Sequence, residues 1–219
     1  DEVKQNRKFN IQKAADIING NTIQPGEEWS FNTVVGPRTY ELGWKGANGI
    51  SGGKEYTIQA GGGICQVSTT MYNALLCANM EIVDRRAHTI PSDYVPVGLD
   101  ATVDTRGIDF VWKNNTDMPA YIFAKVENVE GSSSRHTITV YVYGKPLPEG
   151  VTYQSRNEIT EERSRQDEAI YTNDASIPTG YQLERVQGHK YYVAEAYQDK
   201  YVDGKLAESK LLYTDKYKG

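Results

Sequence analysis

Ile11, Ala14, Ala15 and Ile18 recur at i, i+3, i+4 and i+7, the stripe by which one face of an α-helix meets a core. The spacing predicts a helix over 10–19, with Asn10 as its cap, Phe9 as the preceding staple residue and Gly20 as its stop. After the turn signal Pro25-Gly26, Trp29-Ser30-Phe31 alternates as a short strand, and the glycine-rich stretch from there to Gly63 reads as loop. Val67, Met71, Ala74, Leu75 and Ala78 then resume helical spacing, which starts a second helix at or just before Cys65. Beyond Ile90 the period falls to two: Ile108, Phe110 and Trp112 alternate, as do Ile138, Val140 and Val142, with turns at 114–117 and 130–134. Residues 101–145 are therefore expected to form an antiparallel meander.

The run GKPLPEG over 144–150 breaks this pattern with two prolines and two glycines, and it marks the expected boundary. Past it, two alternating runs flank Asp203-Gly204, the dipeptide best suited to a two-residue hairpin turn. The fold class expected is α+β: two main helices with an antiparallel β-sheet over residues 1–149, then a small β-rich C-terminal module over 150–219. About seventy residues with few aliphatic positions form a marginal core, so this module is expected to pack on the first part or to lack strands.

Composition narrows the function. The 219 residues are 38% hydrophobic and 24% charged, as in ordinary soluble globular proteins, and 16 tyrosines against four phenylalanines suit half-wet sheet faces. A net charge of −5 without any run of like charge argues against nucleic acid, which requires a concentrated basic face. No apolar stretch approaches the ~20 residues of a membrane span. No leader pattern opens the chain at Asp1, which leaves a cytoplasmic protein or one whose leader or anchor has been removed. The two cysteines, Cys65 and Cys77, lie roughly 18 Å apart along one helix, beyond the reach of a disulfide. Their separation also fails the short spacings of zinc sites, so no metal and no cofactor are expected. Asn114-Asn115-Thr116 matches a glycosylation sequon but reads as a turn.

The segment GGGICQ places Cys65 between three glycines and a helix N-terminus. Unpaired N–H groups and the helix dipole favour a thiolate there, and can bring a thiol pKa from about 8.5 down to ~3.5–7.5. Gly61, Gly62 and Gly63 would admit a substrate backbone and offer amides to an oxyanion, and Gln66 adds a side-chain donor. The plainer alternative is a tight turn followed by a buried cysteine acting as a small hydrophobe. A nucleophilic thiol needs an imidazole. Of the three histidines, His88 follows the cysteine helix closely enough to return to its start, whereas His136 and His189 read as surface residues. Asp93, Asp100, Asp104 and Asp109 are all candidates to orient the imidazole, and spacing does not choose among them. Arg85 and Arg86 could fork a substrate carboxylate, or form a solvated face as adjacent arginines commonly do.

NRKFNIQKAADIINGNTIQPGEEWSFNTVVGPRT, GGGICQVSTTMYNALLCANMEIVDRRAHTIPSDYVPVGLDATVD and IDFVWKNNTDMPAYI resemble, in order, successive blocks of the VanW family, over about residues 6–145. That family is named after an accessory protein of glycopeptide-resistance clusters in Gram-positive bacteria. Residues 150–219, with Val186-Gln187-Gly188 and the VDGK hairpin, resemble part of a G5-type β module. The resemblance implies, for some members, L,D-transpeptidation of peptidoglycan stem peptides through a cysteine thioester. The family's cysteine falls on Cys65 and its histidine on His88, and its Gly-x-Asp-Ala-Thr-Val segment falls on Gly98 to Val103, which singles out Asp100. It further implies an extracellular, wall-facing monomer, with room for a membrane anchor upstream of Asp1. Two rivals stand beside it: a papain-like peptidase or carboxypeptidase that hydrolyses the thioester, and a non-catalytic wall-binding module in which GGGICQ is structural.

Overall fold

Helix α1 (Glu2–Ile18) begins well before the apolar stripe, because its first turns carry helix-compatible polar residues and only its C-terminal half meets the core. The chain is described by a computed structural model covering residues 2–51, 55–131, 135–165, 173, 175–181 and 188–218. Ile11, Ala14, Ala15 and Ile18 are wholly buried, as the stripe requires. Asn10 is not a cap. It is buried in mid-helix, where its side-chain amide donates to Lys45 O (2.9 Å) and Gly62 O (3.0 Å) and its Oδ1 accepts from Lys45 N (2.9 Å). Phe9, the expected staple, is exposed. Gly20, at φ 77°, turns the chain out of the helix.

Strands β1 (Asn21–Ile23) and β2 (Glu28–Ser30) follow, and Phe31 opens a third helix, α2 (Phe31–Val35), instead of ending a strand. Ser30 caps it by accepting from Thr33 N (3.0 Å), and Asp109 Oδ1 accepts from Asn32 N (2.9 Å). The stretch expected to be loop holds a hairpin, β3 (Gly46–Ser51) and β4 (Glu55–Ala60). Helix α3 (Ile64–Cys77) starts one residue before Cys65. The remaining strands are β5 (Glu81–Asp84), β6 (Val111–Lys113), β7 (Ala120–Asn128), β8 (His136–Tyr143), β9 (Val151–Arg163), β10 (Tyr191–Val202) and β11 (Lys205–Tyr217).

Among the described residues the strands form four small antiparallel sheets: β1-β7-β8, β2-β6-β5, β3-β4 and β9-β10-β11 with β10 central. The single meander expected over 101–145 is thus divided. β6 pairs with β2, Trp29 opposite Trp112, while β7 and β8 form a hairpin of their own, and 101–110 carries no strand. The reason is that Phe110 and Trp112 alternate to enter the core beside α2, where Phe110 O accepts from Phe31 N (3.0 Å). Asn114 is buried, its side chain bonded to Ile23 O, Met118 O and Thr116 N, which makes it a turn residue.

One core joins α1, α2, α3 and the sheets that hold β1 and β2 through Ile11, Ile18, Phe31, Val67, Met71, Leu75, Trp112 and Ile122. The C-terminal sheet lies against α3: Ser155 Oγ donates to Asn73 Oδ1 (2.9 Å) and Gln198 Nε2 to Leu76 O (2.7 Å). Its β10–β11 hairpin turns at Asp203-Gly204, both at positive φ, as the dipeptide predicts. Val186 and Gln187, on which the G5 likeness partly rested, lie outside the described residues.

Candidate functional site

The triple glycine is a backbone-packing device. Gly61 and Gly63 hold φ of 79° and 104°, and a Cβ on Gly62 would stand 2.2 Å from Ala47 O. Gly61 N donates to Lys45 O (3.1 Å), Gly62 N to Gln59 O (3.3 Å), and all three glycines are buried against α1 and the β3–β4 hairpin. This corrects the expected role: the glycines leave no open approach for a substrate, and the Gly61 and Gly62 amides are already committed. Gly62→Ala is expected to destabilise the chain by about 1–3 kcal/mol, since backbone must move. Thermal unfolding would register roughly 2–4 °C per kcal/mol for a chain of this size. An unchanged Tm would contradict the close backbone contact.

What the turn supplies is an uncapped helix start. Gly63 occupies the N-cap in the left-handed region and has no side chain to close the first turn. Ile64 N and Gln66 N donate to Gly61 O and Gly63 O, whereas Gly63 N and Cys65 N find no acceptor among the described residues. Cys65 is the second residue of α3 and is partly exposed. Arg7 Nη2 donates to Gln66 Oε1 (3.0 Å), which fixes that amide with its NH2 as the group left to donate.

Polar residues on the next turns of α3 lace the 99–103 segment along the helix. Asn73 Nδ2 donates to Leu99 O (2.8 Å), Ser68 Oγ to Ala101 O (2.6 Å), and Thr69 Oγ1 accepts from Ala101 N (3.0 Å). The segment therefore brings Thr102 and Val103 to the Cys65 sulfur and Asp100 to His88. The sulfur lies 3.3 Å from Val103 O and 3.6 Å from Thr102 Oγ1. Thr102 N donates to Arg86 O (2.8 Å), which ties this segment to the extension of β5 that carries His88.

His88 and Asp100 are buried together. Asp100 Oδ2 accepts from His88 N (2.7 Å) and meets His88 Nδ1 at 2.5 Å, so Nε2 is the nitrogen left for the sulfur. Burial pushes the Cys65 thiol up, but hydrogen bonding and charge from His88 outweigh it and bring the pKa down to about 7. Burial likewise pushes His88 down, and the bonds to Asp100 and Cys65 raise it to about 10. For Asp100, burial is outweighed by His88, then Arg85 and Tyr217, and the carboxyl is held below its ordinary value. The arrangement favours thiolate and imidazolium together.

Arg85 is not a substrate fork. Its side chain is fully buried, with Nε on Asp100 O (2.6 Å), Nη2 on Gly98 O (2.9 Å) and Nη1 on Asp215 Oδ2 (2.5 Å). Arg86 is exposed and meets the site through its carbonyl. Of the other carboxylates, Asp109 caps α2, Asp104 closes its own loop by accepting from Ile108 N (3.0 Å), and Asp93 is exposed. Cys77 ends α3 and is exposed.

Four contributors escaped the sequence reading. Tyr217 OH donates to Asp100 Oδ1, Asp215 balances Arg85, Tyr94 sets its ring edge-on to His88 at 6.4 Å, and Arg38, nine-tenths buried, adds positive charge near Cys65. Tyr217 and Asp215 stand more than 110 residues from the carboxylate they serve, so no local signal could have found them. Arg38 sits beside Gly61 and could have been noticed as a lone cation in the block GPRT.

An uncapped helix start, a partly exposed cysteine and a buried His–Asp pair on an α+β scaffold define a Cys-His-Asp constellation. The family profile described as "VanW like protein" matches residues 6–138, and the chain belongs to that family. It is 45% identical over 121 residues to "Uncharacterized protein YoaR" of Bacillus subtilis (strain 168), an alignment covering 55% of this chain and 40% of YoaR. It is 26% identical over 220 residues to "Vancomycin B-type resistance protein VanW" of Enterococcus faecalis (strain ATCC 700802 / V583), covering 98% of this chain and 70% of that protein. The chain thus spans two fifths of the length of YoaR. No solved structure matches it significantly.

Proposed function

We propose that the chain is a cysteine acyltransferase of the bacterial cell wall, an L,D-transpeptidase acting on peptidoglycan stem peptides outside the cell. The observation that carries this reading is the Cys65 sulfur at an uncapped helix start, with its pKa drawn to about 7 by an imidazole that Asp100 orients. The name of the Enterococcus relative directs the search for substrate to cell-wall peptides.

In this mechanism the Cys65 thiolate attacks the carbonyl carbon of the third stem residue. The charge that develops on oxygen is met by Cys65 N–H and the Gln66 amide, not by Gly61 and Gly62. As the C–N bond to the terminal D-alanine breaks, the His88 imidazolium gives its Nε2 proton to the departing amine, leaving a thioester and neutral imidazole. An amine from a neighbouring stem attacks the thioester, passes a proton to His88 and expels the thiolate. A new amide crosslink forms and both groups return to their starting charge.

Incubation with defined muropeptides carrying tetrapeptide stems tests the reading. Crosslinked dimers with release of D-alanine are expected from the parent and not from Cys65→Ala. Shortened monomers alone would assign hydrolysis in place of transfer, and unchanged muropeptides would overturn the enzymatic reading.

A further inference from the structure

The matched family profile ends at residue 138, yet the last residues of β11 reach the carboxylate of the site. We propose that the end of the C-terminal sheet is part of the site, with Tyr217 a positioning residue whose hydroxyl, beside Arg85, holds Oδ1 of Asp100 so that Oδ2 faces His88. This inference rests on the acyltransfer reading of Cys65 and His88.

Three contacts thread β11 between the two segments that carry the site. Lys218 N donates to Thr89 O (2.7 Å), one residue past His88, and Asp215 Oδ2 meets Arg85 Nη1. Between them Tyr217, 1% exposed, accepts from Gly98 N (2.8 Å). A phenol has a single proton to donate. Because the Gly98 N–H already donates to this oxygen, the phenol proton is directed to Asp100 Oδ1. Burial, and then the neighbouring Asp100 charge, push the Tyr217 pKa far up, so the hydroxyl stays a donor throughout the working range.

Asp100 Oδ1 then accepts from Tyr217 and Arg85 Nη2 (3.4 Å), and Oδ2 accepts from His88 N and Nδ1. Each oxygen is held by its own pair of donors, and rotation of the carboxylate would break both pairs. Arg85 alone, at 3.4 Å, is a long contact, so Tyr217 supplies the closer hold on Oδ1. A tyrosine placed only to fill space would not need its proton on this carboxylate.

The test uses the full chain: the parent, Tyr217→Phe, which keeps the ring, and Tyr197→Phe, which removes from the same sheet a phenol hydroxyl that bonds Glu195 and not Asp100. The rate at which iodoacetamide alkylates Cys65, mapped apart from Cys77 by mass spectrometry, is followed against pH. The His88 ring is titrated in parallel by NMR. In Tyr217→Phe the acid limb of alkylation is expected to rise from about 7 by about one unit, a tenfold loss of thiolate below the limb, and the His88 titration to fall from about 10. Tyr197→Phe is expected to keep both.

A folded Tyr217→Phe that coincides with the parent overturns the inference, as does a Tyr197→Phe that shifts as far. Should Tyr217→Phe fail to fold, Asp215→Asn substitutes: Arg85, no longer balanced, draws Asp100 from His88, and the His88 titration falls. An unchanged His88 titration overturns the inference there too. An ordinary acid limb in the parent would instead defeat the acyltransfer reading itself.

Discussion

Replacing His88 by alanine slows alkylation of Cys65 at pH 7 roughly fifteen- to fiftyfold, because the thiol returns to its ordinary range of about 8.5 to 9 and only about one to three molecules in a hundred are ionised. The parent thiol, at about 7 against an ordinary 9.0, is half ionised there. Burial alone would push the sulfur above the ordinary value, and the Val103 backbone and the Thr102 side chain offset it less than His88 does. The sign is fixed by charge: an imidazolium stabilises the thiolate, so its removal raises the thiol pKa. The fold should persist in this variant, since the backbone N–H at position 88 still donates to Asp100 Oδ2. Turnover falls further than alkylation, by roughly 10²–10⁴, because the departing amine also loses its acid. An alkylation profile in His88→Ala that still turns over near pH 7 would sink the ion-pair description.

Asp100→Asn is expected to cost both activity and stability. The carboxylate accepts four donors: His88 N, His88 Nδ1, Arg85 Nη2 and Tyr217 OH. An asparagine has one oxygen and brings an NH2 of its own, so two donors among the four are opposed or unmet and Arg85 loses a counter-charge. If the amide NH2 faces His88 Nδ1, the imidazole must carry its proton on Nε2 and presents a donor to the sulfur, not a base. Activity is expected to fall roughly 10²–10⁴-fold, and stability by about 3–5 kcal/mol, as when one partner of a buried ionic network is removed. The pH dependence follows from linkage. The folded Asp100 pKa lies below its unfolded value of 3.8, so its stabilisation is complete above about pH 4 and is lost as pH falls through the folded value. Parent stability should therefore drop below pH 4 by more than that of Asp100→Asn. Parallel acid unfolding curves would contradict the assignment.

Which parts of this were legible in the chain follows from the range of each signal. The α3 stripe and the Asp203-Gly204 turn are local, and both elements stand where periodicity and turn chemistry put them. Phe31 alternates with Trp29 yet opens α2, because the Ser30 side chain turns back to accept from Thr33 N and ends the strand there. The β3–β4 hairpin divides unevenly: β3 is broken by Gly46 and Gly49, whereas Tyr56, Ile58 and Ala60 of β4 do alternate with polar residues, a short strand signal lost among the glycines on either side of it. Asp100 could not be told from Asp109 by spacing. What separates them is that one meets an imidazole and the other a helix N-terminus, a tertiary distinction. Arg85 is adjacent to Arg86 in sequence yet buried where Arg86 is exposed, since the chain leaves β5 with Arg85 turned inward toward Asp100 and Asp215. Tyr217 depended wholly on where the C-terminal sheet docks.

The most direct measurement of the central claim is intact-mass analysis after exposure to a tetrapeptide donor, with the parent beside Cys65→Ala. The expected result is a parent that gains the acyl portion of the donor with release of D-alanine, the mass mapping to Cys65, and a Cys65→Ala chain that gains nothing. Equal labelling of both chains, or label on Cys77, would contradict it.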